Sequence, residues 1–283
     1  MSAKKAMDRG SAKKAKDRDS AKKAKDNGSA KKVRVGFFSL TCCEGCEFAV
    51  LDLEEKLLKA FDYLEIVESR VLMEKIKPEA IKLDIAFVEG SVISKHDINK
   101  LQYVRGKTDF LVALGSCAAI AGINGIRNAL PEGIRERMKQ KAISPVKEKA
   151  YPLSSFVKVD YILNGCSVNE LEFLDFLNRV LHGVIPKLEE VPVCFECKFK
   201  GNACLLLKGI ACLGPVSYAG CNALCPGQNA QCIGCRGFTK DANFKSLDNL
   251  FKEKGISKKE RYNLFTYFNP LPKEVQYLKE EKQ

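Results

Sequence analysis

An α/β fold, with a doubly wound parallel sheet followed by a cysteine-rich segment of little regular structure, is what this sequence predicts. Three observations carry that expectation. Short runs rich in Val, Ile, Leu and Phe alternate with helical patterns from Val33 to about His182, and such alternation builds a parallel sheet covered on both faces. Thirteen cysteines are spread unevenly: three lie within LTCCEGCEF (Leu40 to Phe48), two stand alone at Cys117 and Cys166, and eight crowd between Cys194 and Cys235. From Val193 to Gly237 the chain is rich in Cys and Gly, without periodicity and poor in large apolar residues. Bound metal is therefore expected to hold that segment together.

Residues 2–32 are an internal repeat with a nine-residue step, SAKKAMDRG, SAKKAKDRD, SAKKAKDNG and SAKK. Without large apolar side chains it builds no core, and residues 1–32 read as a solvated, disordered basic extension. Strands are read in VRVGFFSL, YLEIVESR, LDIAFVEG, DFLVALGS and FVKVDYILNG. A helix is read from Cys46 to Ala60, where Val50, Leu53 and Leu57 share one face. Ser167 to Glu170 has the S-x-x-E spacing of a capping box, which would open the last helix of a flavodoxin-like domain over residues 33–186. Residues 187–283 form the cysteine-rich part, with short helical patterns near Phe244 to Lys254 and Ser257 to Phe268 and a charged KEEKQ tail.

The formal charge is +12, but residues 1–32 supply +8 of it, with twelve Lys and Arg against four Asp. The rest has few aromatic residues near its basic positions, so no base-stacking surface for nucleic acid is expected. No apolar segment reaches the roughly 18 residues of a membrane span, and no secretory h-region opens the chain. An odd number of cysteines in a chain expected to be cytoplasmic points away from disulfides and toward metal.

The isolated cysteines gain meaning on this fold. VRVGFFSLT leads into Cys42 and Cys43, FLVALGS into Cys117, and VDYILNG into Cys166. Carboxyl ends of parallel strands share one edge, where doubly wound folds bind ligands. Cys43, Cys46, Cys117 and Cys166 can therefore meet around one metal centre, with Gly45, Gly115 and Gly165 allowing close backbone approach. A single such Cys would read as a small buried hydrophobe, but three at equivalent strand ends do not. Structural zinc staples loops that lack a core, whereas this domain has one, so an iron–sulfur cubane is the better reading. Cys42 is left as a spare.

The eight remaining thiols, Cys194-x2-Cys197-x6-Cys204-x7-Cys212 and Cys221-x3-Cys225-x6-Cys232-x2-Cys235, divide into two sets of four. The bacterial ferredoxin run is absent. A zinc ribbon from 194/197 and 232/235 would leave four cysteines unexplained.

LTCCEGC, VEGS (Val88 to Ser91), LGSCA (Leu114 to Ala118), NGC (Asn164 to Cys166) and CLGPVSYAGCNALCPGQNAQCIGCRG together resemble the small, electron-transferring subunit of cytosolic nickel–iron hydrogenases. The likeness is to the delta subunit of archaeal sulfhydrogenases, or NADP-linked hydrogenases, and more distantly to the gamma subunit of viologen-reducing hydrogenases, over about Val33 to Phe238. It implies three [4Fe-4S] clusters: a proximal one on Cys43, Cys46, Cys117 and Cys166, a medial one on Cys221, Cys225, Cys232 and Cys235, and a distal one on Cys194, Cys197, Cys204 and Cys212. Cys225 would be a fourth medial ligand, and Cys194 stands where periplasmic relatives carry histidine. The implied partners are a large subunit holding the nickel–iron centre and an electron-accepting flavoprotein or iron–sulfur subunit. Cys42 before the first proximal ligand and Ser167 after Cys166, where proline is usual, depart from the pattern.

Two rivals have different signatures. A small redox subunit like that of complex I, which has tandem cysteines, would lack the eight downstream ones. A zinc-stabilised interaction protein would carry no sulfide. Neither histidine is read as a ligand: His182 falls at a helix end and His96 at an exposed helix start. Glu89, at the end of the third strand, is a candidate for contacting the large subunit or lining the proximal site, and GINGIRN (Gly122 to Asn128) for the large-subunit face.

Overall fold

The computed structural model describes residues 32–73, 81–130, 133–134, 136–137, 149–187, 190–270 and 273–278. The basic repeat and the KEEKQ tail lie outside them. Five strands, β1 (Val33–Ser39), β2 (Leu64–Glu68), β3 (Leu83–Glu89), β4 (Thr108–Leu114) and β5 (Tyr161–Leu163), form one sheet in the order β2-β1-β3-β4-β5. Every neighbouring pair is parallel. This is the flavodoxin-like order, with its switch point between β1 and β3.

Alternation along the strands assigns each face its core. Val35, Phe37, Ile85, Phe87, Val112 and Leu114 pack on one side against Val50, Leu53 and Leu57 and against Phe173, Phe176 and Leu177. Phe38, Ala86, Val88, Leu111 and Ala113 pack on the other against Leu101 and Val104. Phe37 stacks on Phe87 at 4.9 Å, and Phe87 meets Phe173 at 5.2 Å. Both faces are covered, as a doubly wound sheet requires.

Two local expectations are corrected. The helix read from Cys46 to Ala60 is two helices, α1 (Gly45–Leu51) and α2 (Glu55–Ala60). Glu54 between them takes φ 47°. The acidic run Asp52, Glu54 and Glu55 is unfavourable at a helix C-terminus but favourable at the N-terminus of the next, so the chain ends one helix and starts another. Val50, Leu53 and Leu57 are still all buried. The cap of the helix after β5, α5 (Glu170–Leu181), is Asn169, whose side chain accepts from the Glu172 amide at 3.0 Å. Ser167 is not the cap, because the chain from Gly165 to Val168 is held in an isolated bridge. Between these elements lie α3 (Lys95–Lys107), capped by a full Ser94–Asp97 box, and α4 (Gly115–Ile120).

The cysteine-rich part is not held by metal alone. Val193, Leu205, Leu213 and Val216 pack with Phe244, Leu247, Phe251 and Phe265 into a second core. Its large side chains come from α7 (Phe244–Glu253) and α8 (Lys258–Thr266), beyond the last cysteine. Arg261 donates to Asp248 at 2.6 Å and ties the two helices. α6 (Val193–Phe199) opens the segment.

β5 has only three residues, yet the chain leading to Cys166 emerges from it. Asp160 anchors its start: it accepts from the Leu111 amide at 2.9 Å and from Arg105 at 2.5 Å, while its own amide donates to Leu111 O at 2.9 Å. Burial acts to raise the Asp160 carboxyl, but these donors overcome it and hold the pKa below the ordinary value. Asp160→Asn should cost about 2 kcal/mol at pH 7, the worth of charged hydrogen bonds, measured by urea unfolding. Because the folded pKa is depressed, this contribution is present above the unfolded value and lost as pH falls from about 4 through the folded pKa. The difference between wild type and variant should shrink at low pH, and an undiminished difference would assign the loss to packing.

Candidate functional site

The carboxyl edge of the sheet gathers cysteines from three segments. Cys43 and Cys46 flank the start of α1 after β1, Cys117 lies in α4 after β4, and Cys166 follows β5. Burial drives the Cys46 thiol well above its ordinary value, and the charges of Glu89, Cys117 and Cys166 add to it. Burial, then Cys166 and Cys43, pushes Cys117 up to about 11. Cys166 is raised by burial and by Cys43. All four thus act on one another. Gly115 makes room: it sits at φ +81°, and a Cβ there would collide with Cys46 Sγ.

Cys42 faces elsewhere. Its thiol lies 3.5 Å from Glu89 Oε1 and 3.6 Å from Leu40 O, and burial followed by Glu89 pushes it up to about 12. Glu89 is buried, accepts from Ser39 Oγ at 3.2 Å, and is raised chiefly by burial. Sequence reasoning missed Glu47, which is buried, accepts from Ser69 Oγ at 2.5 Å and leaves its other oxygen without a partner. A charged residue beside the apolar face of α1 was the available signal. From GINGIRN, Asn124 donates to Thr41 O at 2.9 Å and reaches Cys117 Sγ at 3.9 Å. His182 caps α5 through Asn178 O, and His96 is exposed at the start of α3.

The tail cysteines sort into two further groups. Burial, then Cys212, Cys197 and Cys204, pushes Cys194 up to about 11. Cys212 is raised by burial and by Cys197 and Cys204. Burial, then Cys221 and Cys225, pushes Cys235 up to about 11, while Cys232 rises to about 12 through burial, Cys212 and Cys235. Cys166, Cys221, Cys225, Cys232 and Cys235 all line one cavity of about 190 Å³.

Neighbouring groups touch through the backbone. The Cys232 amide donates to Cys212 Sγ at 3.4 Å, and the backbone at Cys166 acts to lower the Cys235 thiol against burial. Glu196 of α6 joins the tail groups, accepting from the Gly220 amide at 2.8 Å and the Ala223 amide at 2.9 Å.

Partly desolvated thiols set close together ionise only against strong positive charge, which a metal centre would supply. Twelve sulfurs with no histidine among them suit zinc or iron–sulfur clusters. Among the described residues no three Cys, His, Asp or Glu side chains converge to hold a single ion. Four cysteines around a cavity, as at 221/225/232/235, fit a multi-iron cluster better than one ion.

Comparison with known proteins agrees with this picture. The family described as NADH ubiquinone oxidoreductase, 20 Kd subunit, matches residues 43–180. Sulfhydrogenase 2 subunit delta of Pyrococcus furiosus is 36% identical, over 78% of this chain and 93% of its own length. A subunit of the F420-non-reducing hydrogenase vhu of Methanocaldococcus jannaschii is 33% identical, over 76% of this chain and 84% of its own length. A chain of the Dm. baculatum [NiFeSe]-hydrogenase has the same fold, with a TM-score of 0.50 at 16% identity over 73% of this chain and 95% of that one.

The different surroundings of the tandem cysteines make a direct test. Cys43→Ala should remove or degrade the cluster of the sheet edge, whereas Cys42→Ala should leave iron content unchanged. Iron analysis and electron paramagnetic resonance (EPR) spectra of both variants check this, and the reverse pattern would move the ligand by one position.

Proposed function

This chain belongs to the nickel–iron hydrogenase small-subunit family, and we propose that it is the electron-transfer subunit of such a complex, with three [4Fe-4S] sites. Its relatives are subunits of oxidoreductases, and its own part in the chemistry is conduction. When bound, the clusters supply one-electron transfer between a nickel–iron site in a large subunit and an acceptor subunit carrying flavin or iron–sulfur centres. Cys43, Cys46, Cys117 and Cys166 would hold the proximal cluster, Cys221, Cys225, Cys232 and Cys235 the medial one, and Cys194, Cys197, Cys204 and Cys212 the distal one. The division near residue 186, between a sheet part and a cysteine-rich part, belongs to the same reading.

What supports it is the gathering of cysteines at the sheet edge and in the tail, with the Cys232 amide donating to Cys212 Sγ between the two tail stretches. The chain's own contribution is ligation, burial and amide donors aimed at sulfur, the means by which a protein sets cluster potential. Exposed surfaces support the partners. Cys43 and Cys166 are exposed at the sheet edge, where a large subunit would cover them. Cys204 is exposed near Phe199 and Leu207, which are 88% and 87% exposed, and near Lys198, Lys200 and Lys208. Exposed apolar side chains flanked in sequence by basic ones suit an acceptor with an acidic rim. None of the thirteen cysteines is in a disulfide, which suits the cytoplasm, and no described helix is long and apolar enough to cross a membrane.

Anaerobically purified protein should contain about twelve irons and about twelve sulfides per chain, four of each per cluster. Zinc without sulfide would overturn the reading in favour of a scaffold. Cys225→Pro should leave the medial site a three-iron cluster with its own EPR signal in the oxidised protein and otherwise preserved assembly. If that variant still holds three cubanes, Cys225 is not a ligand and the division of the tail cysteines is wrong.

A further inference from the structure

Arg236 directly follows Cys235, and no ligand set includes it. It is 3% exposed. Its Nε donates to Ala219 O at 2.6 Å, its Nη1 to Asn164 O and to Glu172 Oε2 at 2.7 Å, and its Nη2 to Glu172 Oε1 at 2.7 Å. The two carbonyls are telling. Asn164 lies two residues before Cys166, and Ala219 two residues before Cys221. One guanidinium therefore ties the approach to a proximal ligand, the approach to a medial ligand and, through its own backbone, a second medial ligand.

Other contacts serve the same junction. Ser116 Oγ, one residue before Cys117, donates to Cys235 O, and Cys166 and Cys235 line the same cavity. Gly220, at φ +111°, leaves room for the guanidinium, since a Cβ there would collide with Arg236 Nη2 and lie 2.7 Å from Glu172 Oε1. The arginine charge acts on Cys221 and Cys235. Burial alone would weaken that charge, but the paired carboxylate more than reverses the effect. A bidentate, desolvated pair of this kind is costly to break and fixed in geometry.

We propose that Arg236, clamped by Glu172, is a positioning residue that holds Cys235 against Cys166 and keeps the potential of the medial cluster up. The inference rests on the ligand sets proposed above. An electron entering the medial site adds negative charge beside a fixed buried cation, which favours the reduced state. Removing the cation disfavours it, and removing only the carboxylate leaves the cation less compensated.

The test is a redox titration of the anaerobically purified complex, followed by EPR, for wild type, R236M, R236K and E172Q. In R236M the reduced-to-oxidised ratio of the medial cluster at the wild-type midpoint should fall tenfold or more, about 59 mV for a one-electron couple. E172Q should shift the same midpoint in the opposite direction. R236K, which keeps the charge but loses the fork, should retain the midpoint while the magnetic interaction between reduced proximal and medial clusters weakens. A merely structural role would not give shifts of opposite sign. Full cluster content with unmoved midpoints, or shifts of one sign in R236M and E172Q, overturns the inference alone. A wild-type protein with no medial signal overturns the ligand assignment and this inference with it. Should R236M fail to assemble, E172Q decides: an upward shift sustains the proposal, and no shift sinks it.

Discussion

Burying thiols close together is the constraint on which this structure turns. Each desolvated sulfur resists ionisation, and each neighbour that ionises makes the next harder, as the raised Cys46, Cys117 and Cys166 thiols show at the sheet edge. Nothing in ordinary packing favours such a gathering. The parallel sheet makes it possible, because it brings β1, β4 and β5 to the same edge although they are far apart in sequence. An aromatic-rich face and an aliphatic one fix that sheet, and Asp160 anchors its shortest strand. The fold thus holds a gathering of thiols whose ionisation would need a multivalent cation centre.

The cysteine-rich part meets the same constraint differently. It has no sheet edge to share, so its loops are positioned by charged side chains, half-buried Glu196 and buried Arg236. Glu196 takes the amides of Gly220 and Ala223, and Arg236 takes the carbonyls of Asn164 and Ala219. A core of Phe244, Phe251 and Phe265 supports these loops from the far end of the chain.

What the sequence disclosed follows from what leaves a periodic trace. The five strands were legible as apolar runs bounded by turns, and with them the placing of Cys43, Cys117 and Cys166 beyond strand ends. The break at Asp52–Glu54 was not, because Val50, Leu53 and Leu57 keep a helical rhythm across it and each helix buries its own share. The cap moved from Ser167 to Asn169 because the chain after Cys166 folds back on Gly165 before any helix begins. The second core was hidden because its partners lie outside the cysteine-rich window, which read alone is poor in large side chains. Arg236, Glu172 and Glu196 escaped because a single charge has no spacing. Only a folded chain shows that Arg236 reaches back to Asn164 and Ala219.

The C-I-G-C segment explains why three sites would form a line. Cys232 donates its amide to Cys212 Sγ, and Cys235 O accepts from Ser116 Oγ, one residue before Cys117. Its two cysteines therefore each meet a different flanking group through the backbone, within four residues. No comparable contact joins the sheet-edge group to the 194/197/204/212 group among the hydrogen bonds of the described residues. Under the proposed ligand sets the central position of the medial site is consequently a property of local backbone geometry. Gly234, at φ +74°, gives the turn that lets the pair diverge. The C-I-G-C turn that would supply two of the four medial ligands also carries the contacts to both neighbouring groups.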